Sequence, residues 1–416
     1  MRQIRPADRQ GGKRGPRELK KNRLITMFLG TMFSLKSKFL KGYLVSRISL
    51  SFFLALIVAF SPVQASAPTS RVVELSSLME LEQLLPRLSE TRVVFVGETH
   101  DRYDHHLNQL AIIRNQHAHS EQLAIGIEFI QQPFQSVLDD YVAGRIDEAT
   151  MLRQTEYFDR WRYDFRLYRP IFQYARDKGV PLIALNIDRD VTDAVKREGL
   201  EALSEAQKAQ LPDDIYRGDE DYHQRLREVF EQHPGATEEA FDSFLLIQLL
   251  WDESMAERAA DWLQNNPRGN MVILAGSGHI IYGSGIPDRL GRRVDITASS
   301  VINLDRAAAL DRELGDYVIM SGKQELPASG KLGAILDGKA SPPKVLSFVP
   351  GSGAKQAGLK KNDAIIQIGD TAINSYADIR IAMLDMQADQ EIPVKVSRKR
   401  LFGGGMKTLD FNVVLN

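Results

Sequence analysis

Glu98, His100, Glu128 and His279 are the residues of this chain whose types and settings could do chemistry. Two carboxylates and two imidazoles suit a divalent cation such as zinc or manganese, or a water molecule that His100 deprotonates as general base while the others hold it. The plainer readings are that these polar turns cap helices, that a carboxylate pairs with an arginine, and that a lone histidine is structural. Each of the four follows an apolar run. Val93-Val94-Phe95-Val96 leads to Gly97-Glu98-Thr99-His100, Ala124-Ile125-Gly126-Ile127 leads to Glu128-Phe129, and Asn270-Met271-Val272-Ile273-Leu274 leads to Ala275-Gly276-Ser277-Gly278-His279. Short apolar runs bounded by turn residues predict buried strands, and in open α/β sheets ligands gather beyond the carboxyl ends of the strands. Parallel pairing of the first two strands would bring Glu98 and Glu128 to one edge.

The positioning elements follow from periodicity. Thr99 is read as the N-cap of a helix of about three to four turns, with Tyr103, Leu107, Leu110, Ala111 and Arg114 along one stripe. That places His100 in a first turn, where the helix dipole disfavours imidazolium and keeps the ring neutral. Pro133 to Lys178 reads as helical and rich in aromatics, including Tyr157-Phe158-Asp159-Arg160-Trp161 and Tyr163-Asp164-Phe165-Arg166, which either pack the core or line an apolar cleft for a flat ligand. Pro181 to Asn186 is a third strand. Glu198 to Gly235 is polar and reads as a lid, with Tyr216, Tyr222, His223 and His233 as cofactor candidates or plain surface residues. Thr237 opens a long helix that runs to Asn265 before Pro267. The glycine-rich turn after His279 carries Tyr282.

Composition bounds the class. The chain has 416 residues and a formal net charge of -1, which gives no global case for nucleic acid or an anionic membrane. Basic residues crowd positions 2 to 47, followed by the apolar run Ile48 to Phe60 and a Val63-x-Ala65 site. That pattern predicts export to a bacterial periplasm or secretion, with an uncleaved inner-membrane anchor as the alternative; the run is shorter than the roughly 20 residues of a spanning helix. The absence of cysteine excludes disulfides, thiolate metal sites, covalent c-type haem attachment and a lipidated amino-terminal Cys. A cofactor must be held by His, Tyr, Met or carboxylates.

Val-Gly-Glu-Thr-His at 96–100, Gly-Ile-Glu-Phe at 126–129, Trp-Asp-Glu-Ser-Met-Ala at 251–256 and Ala-Gly-Ser-Gly-His at 275–279 together resemble the ChaN-like haem-binding uptake family, related to the TIKI, TraB and erythromycin-esterase-like proteins. The resemblance spans roughly Leu75 to Asn303. It implies a periplasmic or surface haem-binding protein of iron uptake, with haem held by Tyr and His and shared between two protomers of a homodimer. Carried over by position, Glu98, His100, Glu128 and His279 match the polar cluster of the wider superfamily. Tyr282, His279 and His100 become the haem-binding candidates, Tyr282 through its nearness to His279, and Arg160, Arg162 or Arg166 could meet the propionates. Lipoprotein members of the family begin at a lipidated Cys that this chain lacks.

Residues 331 to 416, with Lys331-Leu332-Gly333-Ala334-Ile335 and a helix near Tyr376 to Met386, resemble a bacterial periplasmic PDZ domain. The resemblance implies binding of a protein partner or carboxyl-terminal peptide as an added strand, contacted by Leu332, Gly333, Ala334 and Ile335; a spacer or dimerisation module is the alternative. The predicted architecture is an α/β domain with a mostly parallel central sheet flanked by helices, plus a small β-rich carboxyl-terminal domain. The divisions are a leader (1–67), the α/β domain (68–304), a linker (305–330) with a strand at Tyr317 to Met320, and the carboxyl-terminal domain (331–416). The leading functional reading is a haem-binding protein, and the alternative is a metal-dependent hydrolase built on the four-residue cluster.

Overall fold

The computed structural model describes residues 72–232, 237–305, 310–400 and 404–416; the basic leader, the apolar run that follows it and His233 lie outside the described residues. Six strands form the first sheet: β1 (Val93–Glu98), β2 (Leu123–Gln131), β3 (Leu182–Asn186), β4 (Asn270–Gly276), β5 (Ala298–Asn303) and β6 (Tyr317–Ile319), in the order β3-β2-β4-β1-β5-β6. All of their pairings are parallel. The expected pairing of the first two strands is corrected here. β4 lies between them, taking Val93 opposite Met271 on one side and Leu123 opposite Asn270 on the other. The carboxyl ends of β1, β4 and β2 are therefore consecutive along one rim. The strand anticipated within the linker is β6, which extends this sheet beside β5.

A sheet buried on both faces needs apolar residues at every position, which the runs supply. Val94 and Val96 face a layer that includes α1 (Leu81–Leu88), α2 (Tyr103–His119), α3 (Gln135–Val142), α4 (Glu148–Gln154), α5 (Tyr157–Arg160) and α6 (Arg169–Lys178). Val93 and Phe95 face the other layer. Past α7 (Arg189–Glu198), α8 (Glu205–Lys208) and α9 (Glu220–Phe230), that layer is built mainly by α10 (Glu238–Asn265) and α11 (Ile286–Arg293). The Thr237 hydroxyl accepts the Ala240 amide at 3.3 Å and so caps α10.

α2 begins at Tyr103, not after Thr99. The Thr99 carbonyl accepts the Arg102 amide at 3.0 Å, and the Thr99 amide donates to His105 Nδ1 at 3.0 Å. A separate turn thus carries His100 ahead of the helix. The buried face of α2 is also different in kind from the expected apolar stripe: Asp104, His105, His106, Gln109 and Gln116 are buried with Leu110, Ile112 and Ile113.

The second sheet is antiparallel. It comprises β7 (Ala334–Asp337), β8 (Lys344–Phe348), β9 (Ala364–Ile368), β10 (Thr371–Ala372), β11 (Glu391–Lys399) and β12 (Met406–Val414), with α12 (Gly353–Gln356) and α13 (Tyr376–Ala382). Its order is β12-β11-β9-β8-β7, with β10 on β9, so β7 is an edge strand. Its own core centres on Leu332, Val345, Ile365, Ile379, Val394 and Val413.

Candidate functional site

The four predicted residues meet at the rim of the first sheet, as two linked carboxylate–imidazole pairs. Glu98 is almost wholly buried, and its Oε1 accepts from the Tyr168 hydroxyl at 2.9 Å and lies 2.9 Å from His100 Nδ1. Its Oε2 accepts from Gln109 Nε2 at 2.6 Å and lies 3.2 Å from His106 Nδ1. Burial alone would raise this carboxyl, but the neighbouring His106 and His100 outweigh it and hold Glu98 well below the usual carboxylate range. Every acceptor site of Glu98 is thus aimed at a donor, which keeps the charge in place under a layer of protein.

His279 stands between two carboxylates. Its Nδ1 is 2.5 Å from Asp252 Oδ1 and its Nε2 is 3.5 Å from Glu128 Oε1. Burial pulls the ring down, yet Asp252 and Glu128 together push it up to about 10. Glu128 in turn accepts the Gly276 amide at 2.6 Å, and despite burial its pKa is lowered, chiefly by His279. Gly276 is the joint between the two pairs: a Cβ there would lie 2.9 Å from His100 Cε1 and 3.6 Å from Glu128 Oε2. Only a residue without a side chain lets the His100 ring lie against the end of β4.

The expectation that the setting of His100 disfavours its protonated form is corrected. The ring precedes α2 and does not sit in its first turn, and although burial lowers its pKa, the hydrogen bond to Glu98 and the charges of Glu128 and Glu98 raise it overall. Its side chain stays 23% exposed, framed by Trp161 at 4.7 Å and Tyr163 at 5.3 Å between ring centroids. Beside this turn, Asp101, Tyr103, Arg162, Tyr163 and residues 324–326 help to line a cavity of about 360 Å³.

Sequence reasoning missed several of the groups that complete the cluster. Asp252, quoted only within a motif, is buried on α10 and receives the Tyr222 hydroxyl at 2.6 Å as well as His279. Tyr222 is therefore the residue of the polar insertion that reaches the site. Tyr216 instead packs its ring under Arg292, and His223 is bonded to the Arg217 carbonyl. Tyr168, Gln109 and His106 carried no signal except closeness in sequence to the Glu-Thr-His turn for the last two.

Among the described residues no group of three or more His, Asp or Glu is placed to hold a metal ion. The donors face one another: His100 Nδ1 is on Glu98, and both His279 nitrogens face carboxylates. Tyr282 lies on a surface turn with left-handed backbone (φ 63°) and is 38% exposed, its ring 4.7 Å from the Arg225 guanidinium. Of the propionate candidates, Arg160 is held by Glu156 and Asp188 and Arg166 by Asp164, while Arg162 is exposed.

At the second domain, Gly333 adopts φ 71° and leads into β7. The Leu332 and Gly333 amides donate to no partner among the described residues, Ala334 opens the edge strand, and Ile335 is half exposed. Two neighbouring amides at a left-handed turn form a small anion cradle.

A parallel sheet with a buried carboxylate–imidazole rim, followed by a β domain whose strand β7 is an edge among the described residues, defines an α/β domain joined to a small antiparallel β domain. Residues 84–290 match the family model for haem-binding uptake proteins of the Tiki superfamily, ChaN, and residues 330–415 match the PDZ domain model. The chain belongs to the ChaN family over that first segment and carries a carboxyl-terminal PDZ domain. Among curated proteins it is similar to the chloroplastic protein RETICULATA-RELATED 5 of Arabidopsis thaliana, 25% identical over 282 residues, which cover 60% of this chain and 37% of the relative. The chain thus spans little more than a third of that relative's length. A solved structure of cofacial heme binding to ChaN of Campylobacter jejuni is 18% identical, covers 58% of this chain and 91% of its own, and has a TM-score of 0.47. A mutant of the erythromycin esterase EreC in its open conformation is 15% identical, covers 53% and 72%, and has a TM-score of 0.34.

Proposed function

We propose that the chain is a periplasmic haem-binding protein of iron uptake whose PDZ domain docks a protein partner through that partner's carboxyl terminus. The observation that carries the haem reading is Tyr282, an exposed phenol at the rim that β4 and His279 form, on a segment of a haem-binding family. Tyr282 would hold the haem through its phenol oxygen, a suitable ligand for the ferric iron that the group would supply. The residues present fit that group unevenly. Tyr282 offers a partly exposed ring with a guanidinium to balance its charge, and Arg162 an exposed cation for a propionate. His279, with both nitrogens facing carboxylates, fixes the turn from which Tyr282 projects, and His100 contributes a mostly buried imidazole walled by Trp161 and Tyr163. An exposed ligand of this kind suits a haem covered by a second copy of the chain. Export is supported by the basic and apolar leader, and docking by the unpaired Leu332 and Gly333 amides beside edge strand β7.

Hemin titration into the purified chain tests the reading: a saturable Soret change is expected, lost in Tyr282→Phe. A spectrum unaltered by the protein removes it.

A second reading, a hydrolase, is favoured by one geometric fact. Tyr222, Asp252, His279, Glu128 and the Gly276 amide form an unbroken polar chain to the wall of His100. Such a chain holds an imidazole in one orientation and charge state, as acid–base work requires. Turnover of a p-nitrophenyl ester that His100→Asn abolishes, in a protein that does not bind hemin, would establish it.

A further inference from the structure

The helix that walls the peptide groove is also the helix that packs on the α/β domain. α13 stands beside edge strand β7: a Cβ on Gly338, just past that strand, would lie 3.5 Å from the Tyr376 Cβ. Ile379 shares a core with Leu332, against which Ala334, Leu336 and Met383 pack. The other side of α13 carries Ala377 and Ile381, which together with Leu384 are buried in the core of the α/β domain along with Phe158. Charged contacts surround this apolar seam. Arg153 reaches Asp378 at 3.0 Å, Arg169 bridges Glu148 at 2.7 Å and Asp385 at 3.0 Å, and the Arg380 guanidinium sits 4.9 Å from the Phe158 ring centroid.

Phe158 belongs to α5, a helix of four residues. Two residues with left-handed backbone bracket it, Glu156 at φ 51° and Arg162 at φ 72°. Residues with a Cβ seldom hold that conformation unless their neighbours impose it. Trp161 follows α5 directly, and its ring is the one that meets His100 at 4.7 Å. From the peptide groove to the imidazole the route is therefore α13, Phe158, Tyr157, Trp161, His100: the Phe158 and Tyr157 rings meet at 5.1 Å between centroids, and the Trp161 amide donates to the Tyr157 carbonyl at 2.8 Å.

The geometry points to energetic coupling between the two domains' sites: a peptide with a free carboxyl terminus, added along β7 against α13, fixes α13 and, through α5, the Trp161–Tyr163 wall of the His100 pocket, and so strengthens ligand binding there. Order already imposed by one ligand need not be imposed again by the other, so the coupling is positive, and it is reciprocal by linkage. The inference rests on the proposed function for naming haem and a carboxyl-terminal peptide as the two ligands; the route itself does not depend on it.

Hemin is titrated into the full chain alone, with a peptide selected for binding to it from a library of free carboxyl termini, and with the amidated form of that peptide. The free-acid peptide is expected to tighten hemin binding about fivefold or more, the amidated form to leave it unchanged, and Arg380→Ala to bind both ligands without mutual effect. Phe158→Leu, which removes the ring that meets Arg380 and Tyr157 and keeps an apolar side chain at the seam, is the second uncoupled variant should Arg380→Ala not fold. The His100 imidazole resonances, assigned with His100→Asn and followed without hemin, give a reading independent of haem. Resonances that shift with the free-acid peptide in a protein that ignores hemin uphold the coupling and remove the haem reading. Hemin affinity that is the same with and without the peptide, together with unmoved His100 resonances, overturns the coupling.

Discussion

Asp252 Oδ1 lies 2.5 Å from His279 Nδ1, joining α10, the longest helix among the described residues, to the turn after β4. Asp252 is 1% exposed, and its second oxygen accepts the Tyr222 hydroxyl at 2.6 Å. Removing one charge of a buried pair strands the other, at a cost of about 3–5 kcal/mol. Asp252→Asn is therefore expected to lower the unfolding free energy by that order and to bring the His279 ring down from about 10, read by denaturant unfolding and by titration of its imidazole resonances. A His279 that still titrates near its former value in the variant would mean that Glu128 alone supplies the shift.

Stability should peak close to neutral pH, with a separate histidine responsible for each flank. His279, raised from 6.5 to about 10, contributes fully below pH 6.5, and its contribution disappears as pH climbs from there to about 10, because over that range the folded chain keeps a proton that the unfolded chain releases. His105 behaves in the opposite sense. Burial lowers it to about 4, so between 6.5 and about 4 the unfolded chain takes up a proton that the folded chain refuses, and stability falls as pH falls. Glu98 and Glu128, both depressed, add to the acid loss at lower pH. A single proton gives a slope of at most about 1.4 kcal/mol per pH unit. Urea midpoints measured across this range should show both limbs, and the alkaline limb should flatten in Asp252→Asn.

The strand ends were legible because a parallel strand buried on both faces is a continuous apolar run, and the polar residue that stops the run marks the rim. Glu98, Glu128 and His279 were found in that way. Strand order was not legible: nothing local to β1 or β2 says that β4, almost 140 residues further on, inserts between them. Nor was the inner half of the site. The rule that buried helix faces are apolar hides His106 and Gln109 on α2 and Asp252 on α10, since these helices bury polar groups that are satisfied by the site itself. His100 was located at the rim, but the direction of its pKa shift was misjudged, because a helix start was assumed where the chain makes a turn stabilised by His105.

At the peptide site, Gly333→Val tests the amide cradle. Gly333 has φ 71°, and a Cβ there would lie 2.5 Å from Asn416 Oδ1 and 2.8 Å from the Ser352 Cα. A β-branched residue cannot take that conformation without moving the turn that aims the two amides. Loss of at least tenfold in affinity for a free-acid peptide is expected, worth about 1.4 kcal/mol, with no change for hemin. Fluorescence polarisation with a labelled peptide measures the first and the Soret titration the second; equal peptide affinity in wild type and variant would place the groove elsewhere.

Phe158 should make the two domains unfold as one. It is 4% exposed and shares a core with Ile381 and Leu384 of the PDZ domain, so truncation opens a cavity at the seam and not at either domain's centre. Large-to-small aromatic substitutions in cores cost about 3–5 kcal/mol. The ion pairs around the seam cannot offset this, since Arg153 is 41% and Asp385 72% exposed and pairs of that kind contribute little. Phe158→Ala is therefore expected to lower the thermal midpoint and to split a single calorimetric transition into two, because the contact that made unfolding cooperative across the seam is gone. The Arg169→Ala change, by contrast, should lower the midpoint slightly and leave one transition. Two transitions already present in the unmodified chain would show that the seam does not hold the domains together in solution.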